Sequence, residues 1–135
     1  MIETEGGSIF ELSGVGIPTI CQWCLVRIVS LYEESYVTAK EVASCIRDLM
    51  KEVTYKRDES FLFWLGPAVT IEEILDEKVC LEILEVQQSI KRYKITKNGE
   101  EALKPWIPRI TKTLSFESDE EFDNLVARRI TRQKD

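Results

Sequence analysis

Four cysteines are the residues of this sequence best suited to metal or redox chemistry. Cys21 and Cys24 lie close together on the chain, and Cys45 and Cys80 follow at wide separations. Four thiolates can hold a zinc ion, and a nearby pair can form a disulfide. Because the first pair lies in an apolar run, the simplest interpretation is that the cysteines pack as small buried residues, with disulfide and metal roles as alternatives. We therefore expect no bound metal or other cofactor.

Catalysis has little support from the other residue types. The chain has no histidine, which removes the commonest general base and metal ligand. It also lacks a glycine-rich phosphate loop and a serine nucleophile elbow. The carboxylates cluster on segments with helical periodicity, and a solvent-exposed helix face is enough to explain why they occur there. The sequence therefore predicts a protein that is not an enzyme.

Basic side chains are the best candidates for a binding site. The net charge is −6, but residues 61–86 carry a net charge of −5 and residues 87–112 carry +5. Lysine and arginine beside a duplex neutralise phosphates and release counterions. The alternative is an ordinary solvated strand face. The predicted DNA contacts are Lys91, Arg92, Lys94 and Lys97, with Thr70, Lys56 and Arg57 as further candidates.

Apolar periodicity and turn signals predict the elements that must carry these side chains. The expected fold class is α+β, mostly α. Residues 1–17 are expected to form a flexible arm, residues 18–114 the main domain, and residues 115–135 a C-terminal helix with a basic tail. The predicted elements are a helix over residues 18–34, a second after the capping box at residues 38–41, a third from Pro67, a hairpin of residues 81–86 and 90–96, a helix after an Asn98-Gly99 turn, and a last helix after Ser118.

Two stretches of the chain resemble known transcription regulators. Residues 66–75, GPAVTIEEIL, resemble the start of the recognition helix in PadR-like regulators. Residues 92–103, RYKITKNGEEAL, resemble the end of the wing and the start of the last helix in PadR-like and MarR-like regulators. The resemblance covers roughly residues 18–114 and implies a winged helix-turn-helix with a two-stranded β-wing and an extra C-terminal helix. It also implies a DNA-binding transcription regulator that acts as a homodimer on duplex DNA, with Tyr93 and Ile95 sealing the wing onto the core.

The first predicted helix is apolar on nearly all sides, which indicates burial on two sides. In a domain this small we expect another subunit to cover the second side. The predicted homodimer interface consists of Trp23, Val26, Leu31, Phe122 and Leu125.

Two features of the sequence depart from this resemblance. Residues 51–65 lengthen a connection between the second and third helices that is usually short. The outward face of the third helix is also acidic, with Glu73, Asp76 and Glu77 placed where they would repel phosphates. The alternative function is therefore a winged-helix protein-interaction module that docks a protein partner on its acidic third helix and does not bind DNA.

Nothing in the sequence predicts a membrane location. Residues 1–16 begin with acidic residues, whereas a secretory leader begins with basic ones. The most apolar run, residues 17–32, is interrupted by Gln22 and Arg27 and is too short to span a bilayer. We therefore expect a cytoplasmic protein with no membrane partner.

Overall fold

The computed structural model describes residues 17–33, 35–56, 65 and 68–134. The chain is α+β and mostly helical, with a small two-stranded antiparallel sheet, as predicted. Ile17, which we assigned to the arm, already belongs to the first helix, and residues 1–16 lie outside the described residues. The elements are α1 (Ile17–Ser30), α2 (Ala39–Lys56), α3 (Ile71–Cys80), β1 (Leu84–Gln87), β2 (Arg92–Ile95), α4 (Lys97–Leu103), a 3₁₀ turn (Lys104–Trp106), α5 (Ile107–Thr113) and α6 (Asp119–Lys134).

Helix α1 is apolar on nearly all sides because it lies at the centre of the fold. It contacts α2, α3, α4, α5 and β2, and Leu25 and Ile28 are fully buried. Val26 is also fully buried, and Phe122 of α6 is 2% exposed. We expected Val26 and Phe122 at a subunit interface, but this chain buries both itself. They are core residues, and the apolar pattern of α1 requires no second subunit.

Trp23, another residue predicted at the interface, stacks against a tryptophan of the same chain. The rings of Trp23 and Trp106 are nearly parallel, with centroids 5.4 Å apart. The Lys78 ammonium lies 5.4 Å from the Trp23 ring, and the Arg109 guanidinium lies 5.1 Å from the Trp106 ring. Stacking and cation–π contacts each add stability beyond burial. This cluster joins α1 to α3 and α5, while Leu31 and Leu125 remain only half-buried.

Capping boxes set the beginnings of α2 and α3. The Glu41 amide donates to Thr38 Oγ1 at 3.2 Å, and the Thr38 amide donates to Glu41 Oε1 at 2.9 Å, which confirms the predicted start of α2. The third helix begins at Ile71 rather than near Pro67, so that prediction is wrong. Thr70 and Glu73 form the same reciprocal pair, which satisfies the first amides of α3.

The hairpin is anchored on the core by its inner face. Tyr93 is fully buried and Ile95 is nearly so, which confirms that these two residues seal the hairpin. Val86 pairs with Tyr93 across the antiparallel register. The segment between α1 and α2 adds a further bridge, because Val37 and Tyr93 exchange two backbone hydrogen bonds of 2.8 and 2.7 Å.

Gly99 does not form the predicted turn at the end of the hairpin. Helix α4 begins at Lys97, and the Gly99 amide donates to Oγ1 of the capping residue Thr96 at 2.8 Å. Gly99 therefore lies in the first turn of α4, and the turn prediction is wrong. Its Cα approaches the backbone of Ile83 so closely that a Cβ would lie 2.0 Å from the carbonyl oxygen.

Helix α6 packs against α2 and α5 through an apolar face, and ion pairs connect it to α1 and α2. Val126 and Ile130 are buried in that face. The Arg27 guanidinium donates to both carboxylate oxygens of Asp123, and Arg129 forms an ion pair with Asp48. None of the helices in the described ranges is long and apolar enough to cross a membrane.

The cysteines are mostly core residues. Cys21, Cys24 and Cys45 are buried, whereas Cys80 is exposed at the end of α3, and all four carry reduced thiols. Burial, together with the neighbouring Cys21, raises the pKa of the Cys24 thiol well above its ordinary value, so this thiol is a poor nucleophile. Within the part of the chain that the structure describes, no three His, Cys, Asp or Glu side chains are grouped to hold a metal ion.

Candidate functional site

The hairpin is held against the polar face of α3 by Lys91. Its Nζ atom lies 2.7 Å from Asp76 Oδ2 and 3.1 Å from Glu72 Oε2. The Tyr93 hydroxyl donates to the other Asp76 oxygen at 2.6 Å. We define the α3–hairpin surface as Glu72, Glu73, Asp76 and Glu77 of α3 together with Lys91 of the hairpin turn.

The α3 side of this surface is strongly acidic. Glu72, Glu73 and Glu77 are exposed and Asp76 is half-buried. The basic residue of the helix, Lys78, is only 6% exposed and lies beneath Trp23. Its Nζ atom is 3.6 Å from Glu77 Oε1, so it offsets part of the charge of that carboxylate alone. Four carboxylates thus face outward from a helix of 10 residues.

The predicted DNA contacts have different environments. Lys91 is already paired with two carboxylates, and the Thr70 hydroxyl accepts from the Glu73 amide in the cap of α3. Arg92 is exposed on the outer face of the hairpin, and Lys97 is exposed at the first turn of α4. Lys94 is half-buried, with its Nζ atom 5.6 Å from the Tyr36 ring. Lys56 is the last residue of α2, and Arg57 lies outside the described residues.

The outer face of the hairpin carries both charges. Glu85 pairs with Lys94 in the strand register, and its carboxylate accepts from the Tyr36 hydroxyl at 2.7 Å. That hydrogen bond is the main reason why the pKa of Tyr36 is raised. A pair of opposite charges directly across a hairpin is the ordinary arrangement of a solvated sheet face. The basic cluster seen in the sequence is therefore divided between two faces of the hairpin.

Exposed apolar side chains flank the acidic face, and the sequence analysis did not identify them as functional. Val69 precedes the cap of α3 and is 36% exposed, and Ile90 precedes Lys91 in the hairpin turn and is 56% exposed. Leu81, just beyond the end of α3, is 55% exposed. Large apolar residues in such positions supply contact area for a partner. Only their location beside the acidic face of α3 distinguishes them from ordinary surface residues, and that location required the fold.

The titration of the Asp76 carboxyl reflects its two hydrogen-bond donors. Burial raises its pKa, but the bonds from Lys91 and Tyr93 outweigh burial and hold the pKa below its ordinary value. The hydrogen bonds that Lys91 donates to Asp76 and Glu72 raise the pKa of Lys91. Burial and then Asp76 raise the pKa of Tyr93, so the phenol remains a protonated donor.

A carboxyl whose pKa is lowered by folding stabilises the fold above its unfolded pKa and loses that effect as pH falls. We expect the stability advantage of the wild type over Asp76→Asn to be present near pH 7 and to diminish as pH falls below about 4, the ordinary pKa of an aspartate. Thermal unfolding of both proteins across this range measures the difference. Glu77→Gln, on the same helix, is the matched control. An advantage that persists unchanged at pH 3 would contradict the role of Asp76.

Comparison of this chain with protein families, with curated proteins and with solved structures gave no match, so its function must be inferred from the α3–hairpin surface itself.

Proposed function

We propose that this chain is a cytoplasmic winged-helix module that docks a basic segment of a protein partner on the α3–hairpin surface. The order of three helices followed by a hairpin supports the winged-helix assignment, as does the resemblance of residues 66–75 and 92–103 to PadR-like regulators. In such a fold the third helix and the wing form the exposed binding face. The chemistry of that face therefore decides which partner fits.

The single observation that carries the proposal is the pairing of Lys91 with Glu72 and Asp76. To contact a phosphate, Lys91 must leave two carboxylates at 2.7 and 3.1 Å, so the exchange gains little energy. Each carboxylate left about 7 Å from a phosphate adds roughly 0.6 kcal/mol of repulsion in water. With four carboxylates on α3, the repulsion offsets much of what the exposed Arg92 contributes.

A basic protein segment fits the same surface without this conflict. Glu73 and Glu77 are exposed, although Glu73 Oε1 accepts from the Thr70 amide and Glu77 Oε1 lies 3.6 Å from Lys78 Nζ. The second oxygen of each carboxylate can pair with lysine or arginine of the partner. Val69 and Ile90 supply apolar contact area at the edge of the acidic face. Complementary charge speeds association and sets orientation, while apolar contacts supply much of the affinity. We therefore expect binding to be rapid and sensitive to salt.

The test uses a synthetic amphipathic peptide of leucine and lysine as the probe, labelled for fluorescence anisotropy. We expect the wild type to bind it, and Glu72→Lys with Glu77→Lys to weaken binding at least about tenfold, or roughly 1.4 kcal/mol. The control, Glu117→Lys with Glu120→Lys, makes the same change in net charge on exposed residues near the start of α6. Equal weakening by both variants would mean that only bulk charge matters and would overturn the proposal.

A second candidate function is DNA binding through the wing as a homodimer. It is favoured by the exposure of Arg92 and Lys97, for which the described part of the chain shows no ion pair. A salt titration against a mixed-sequence duplex separates the two functions. Affinity that falls steeply with salt and is lost in Arg92→Gln would support the DNA-binding function and contradict ours.

A further inference from the structure

A cleft between α2 and α6 shares no residue with the α3–hairpin surface. Its volume is about 270 Å³, at the small end of ligand-sized sites. Part of its lining is apolar, contributed by Leu49 of α2 and by Leu125 and Val126 of α6. Leu49 and Val126 are almost fully buried, so the half-buried Leu125 supplies most of the apolar surface that a ligand can contact.

The remaining lining residues include two adjacent arginines. Arg129 contacts Asp48 through Nε, and these two atoms are shielded from solvent. A guanidinium has five N–H donors, and the contact between Arg129 and Asp48 uses only one of its nitrogens. Arg128 is exposed and forms no ion pair within the described residues. Donors of both arginines are therefore available at the cleft.

The acidic lining residues limit the charge of a ligand. Asp48 fixes the position of Arg129, and Glu52 adds a second negative charge to the lining. A dianion placed between the arginines would be repelled by these carboxylates. A single carboxylate gains the charge-assisted hydrogen bonds of an arginine fork with less repulsion.

We propose that the cleft between α2 and α6 binds a small organic monocarboxylate, with its carboxylate on Arg128 and Arg129 and its apolar body against Leu125, over the buried Leu49 and Val126. The volume suits a short chain or a single ring. Because α6 supplies both arginines, the bound molecule joins α6 to α2.

The probe is hexanoate, titrated into the ¹⁵N-labelled full chain and followed by two-dimensional NMR. We expect saturable shifts confined to residues 45–52 and 125–131, with a Kd of about 1–10 mM, the range for a ligand of this size. Hexylamine, which has a chain of the same length and the opposite charge, should produce no saturable shifts. Dispersed shifts, or none at these concentrations, would overturn the proposal.

Two variants test the assignment of the carboxylate. Arg128→Gln should weaken hexanoate binding about tenfold, as expected for loss of one charge-assisted contact. Its spectrum in the absence of hexanoate shows whether it is folded, and its side chain is exposed, so we expect it to be. Arg92→Gln on the hairpin should leave hexanoate binding unchanged. Undiminished binding by Arg128→Gln, or equal weakening by both variants, would contradict the site.

Discussion

Replacing Gly99 with alanine should lower the free energy of unfolding by about 3 kcal/mol. In most helices the same change stabilises by up to about 1 kcal/mol, because alanine loses less backbone entropy. Here the added Cβ would lie 2.0 Å from the Ile83 carbonyl oxygen and 2.9 Å from Ile95 Cγ1. The carbonyl cannot move freely, because it accepts from the Thr96 amide and hydroxyl, each at 3.0 Å.

Urea denaturation of the full chain measures this loss. Lys97→Ala, two positions earlier on an exposed part of the same turn, is the control and should change stability by less than about 0.5 kcal/mol. A stabilised Gly99→Ala protein would show that helix propensity outweighs the clash. The close approach of α4 to the residues before β1 would then be wrong.

Replacing Tyr93 with alanine should cost about 4 kcal/mol, because a fully buried ring leaves a cavity behind. The ring fills the space where the hairpin meets the core. Its hydroxyl donates to Asp76 at 2.6 Å, and loss of that bond adds to the cost. The variant should also loosen the hairpin from α3, since Asp76 would retain only Lys91.

Tyr93→Phe separates the ring from the hydroxyl. It keeps the packing and should cost only about 1.5–3 kcal/mol, the range for one hydrogen bond to a charged group. Both variants are compared with the wild type by the same urea denaturation. If alanine were no worse than phenylalanine, the ring would contribute nothing to packing, and its place in the core would be contradicted.

Local signals in this sequence predicted local structure well. The capping box at Thr38 depends on two residues three positions apart in the sequence. The start of α2 could therefore be predicted without knowledge of the fold. The start of α3 was misplaced because Pro67 and Thr70 both signal a helix start, and the hydrogen bonds of the Thr70 box decided between them. Period and spacing also identified the hairpin, and the resemblance to PadR-like and MarR-like regulators implied its sealing residues, Tyr93 and Ile95.

Partners across the fold could not be predicted in the same way. The apolar pattern of α1 shows that its faces are buried but does not show what buries them, so the sequence could not distinguish cover by α2, α5 and β2 from cover by a second subunit. A run of basic residues likewise shows that a segment is positively charged, but it does not show which side chains lie beside those charges in the fold. Lys91 meets Glu72 only because the hairpin folds onto α3. Gly99 was assigned to a turn because Asn-Gly is a local turn signal. Its close contact with Ile83 depends on the fold and is not visible in any local motif.

The central position of α1 has a consequence for synthesis of the chain. Helix α1 ends at Ser30, whereas α5, which covers it, begins at Ile107. At roughly 5–20 residues per second, a ribosome needs about 4–16 s to make the intervening chain. During that interval Leu25 and Ile28 lack much of their final cover. The nascent chain therefore exposes its core helix to other chains, and we expect it to be most prone to aggregation before α5 emerges.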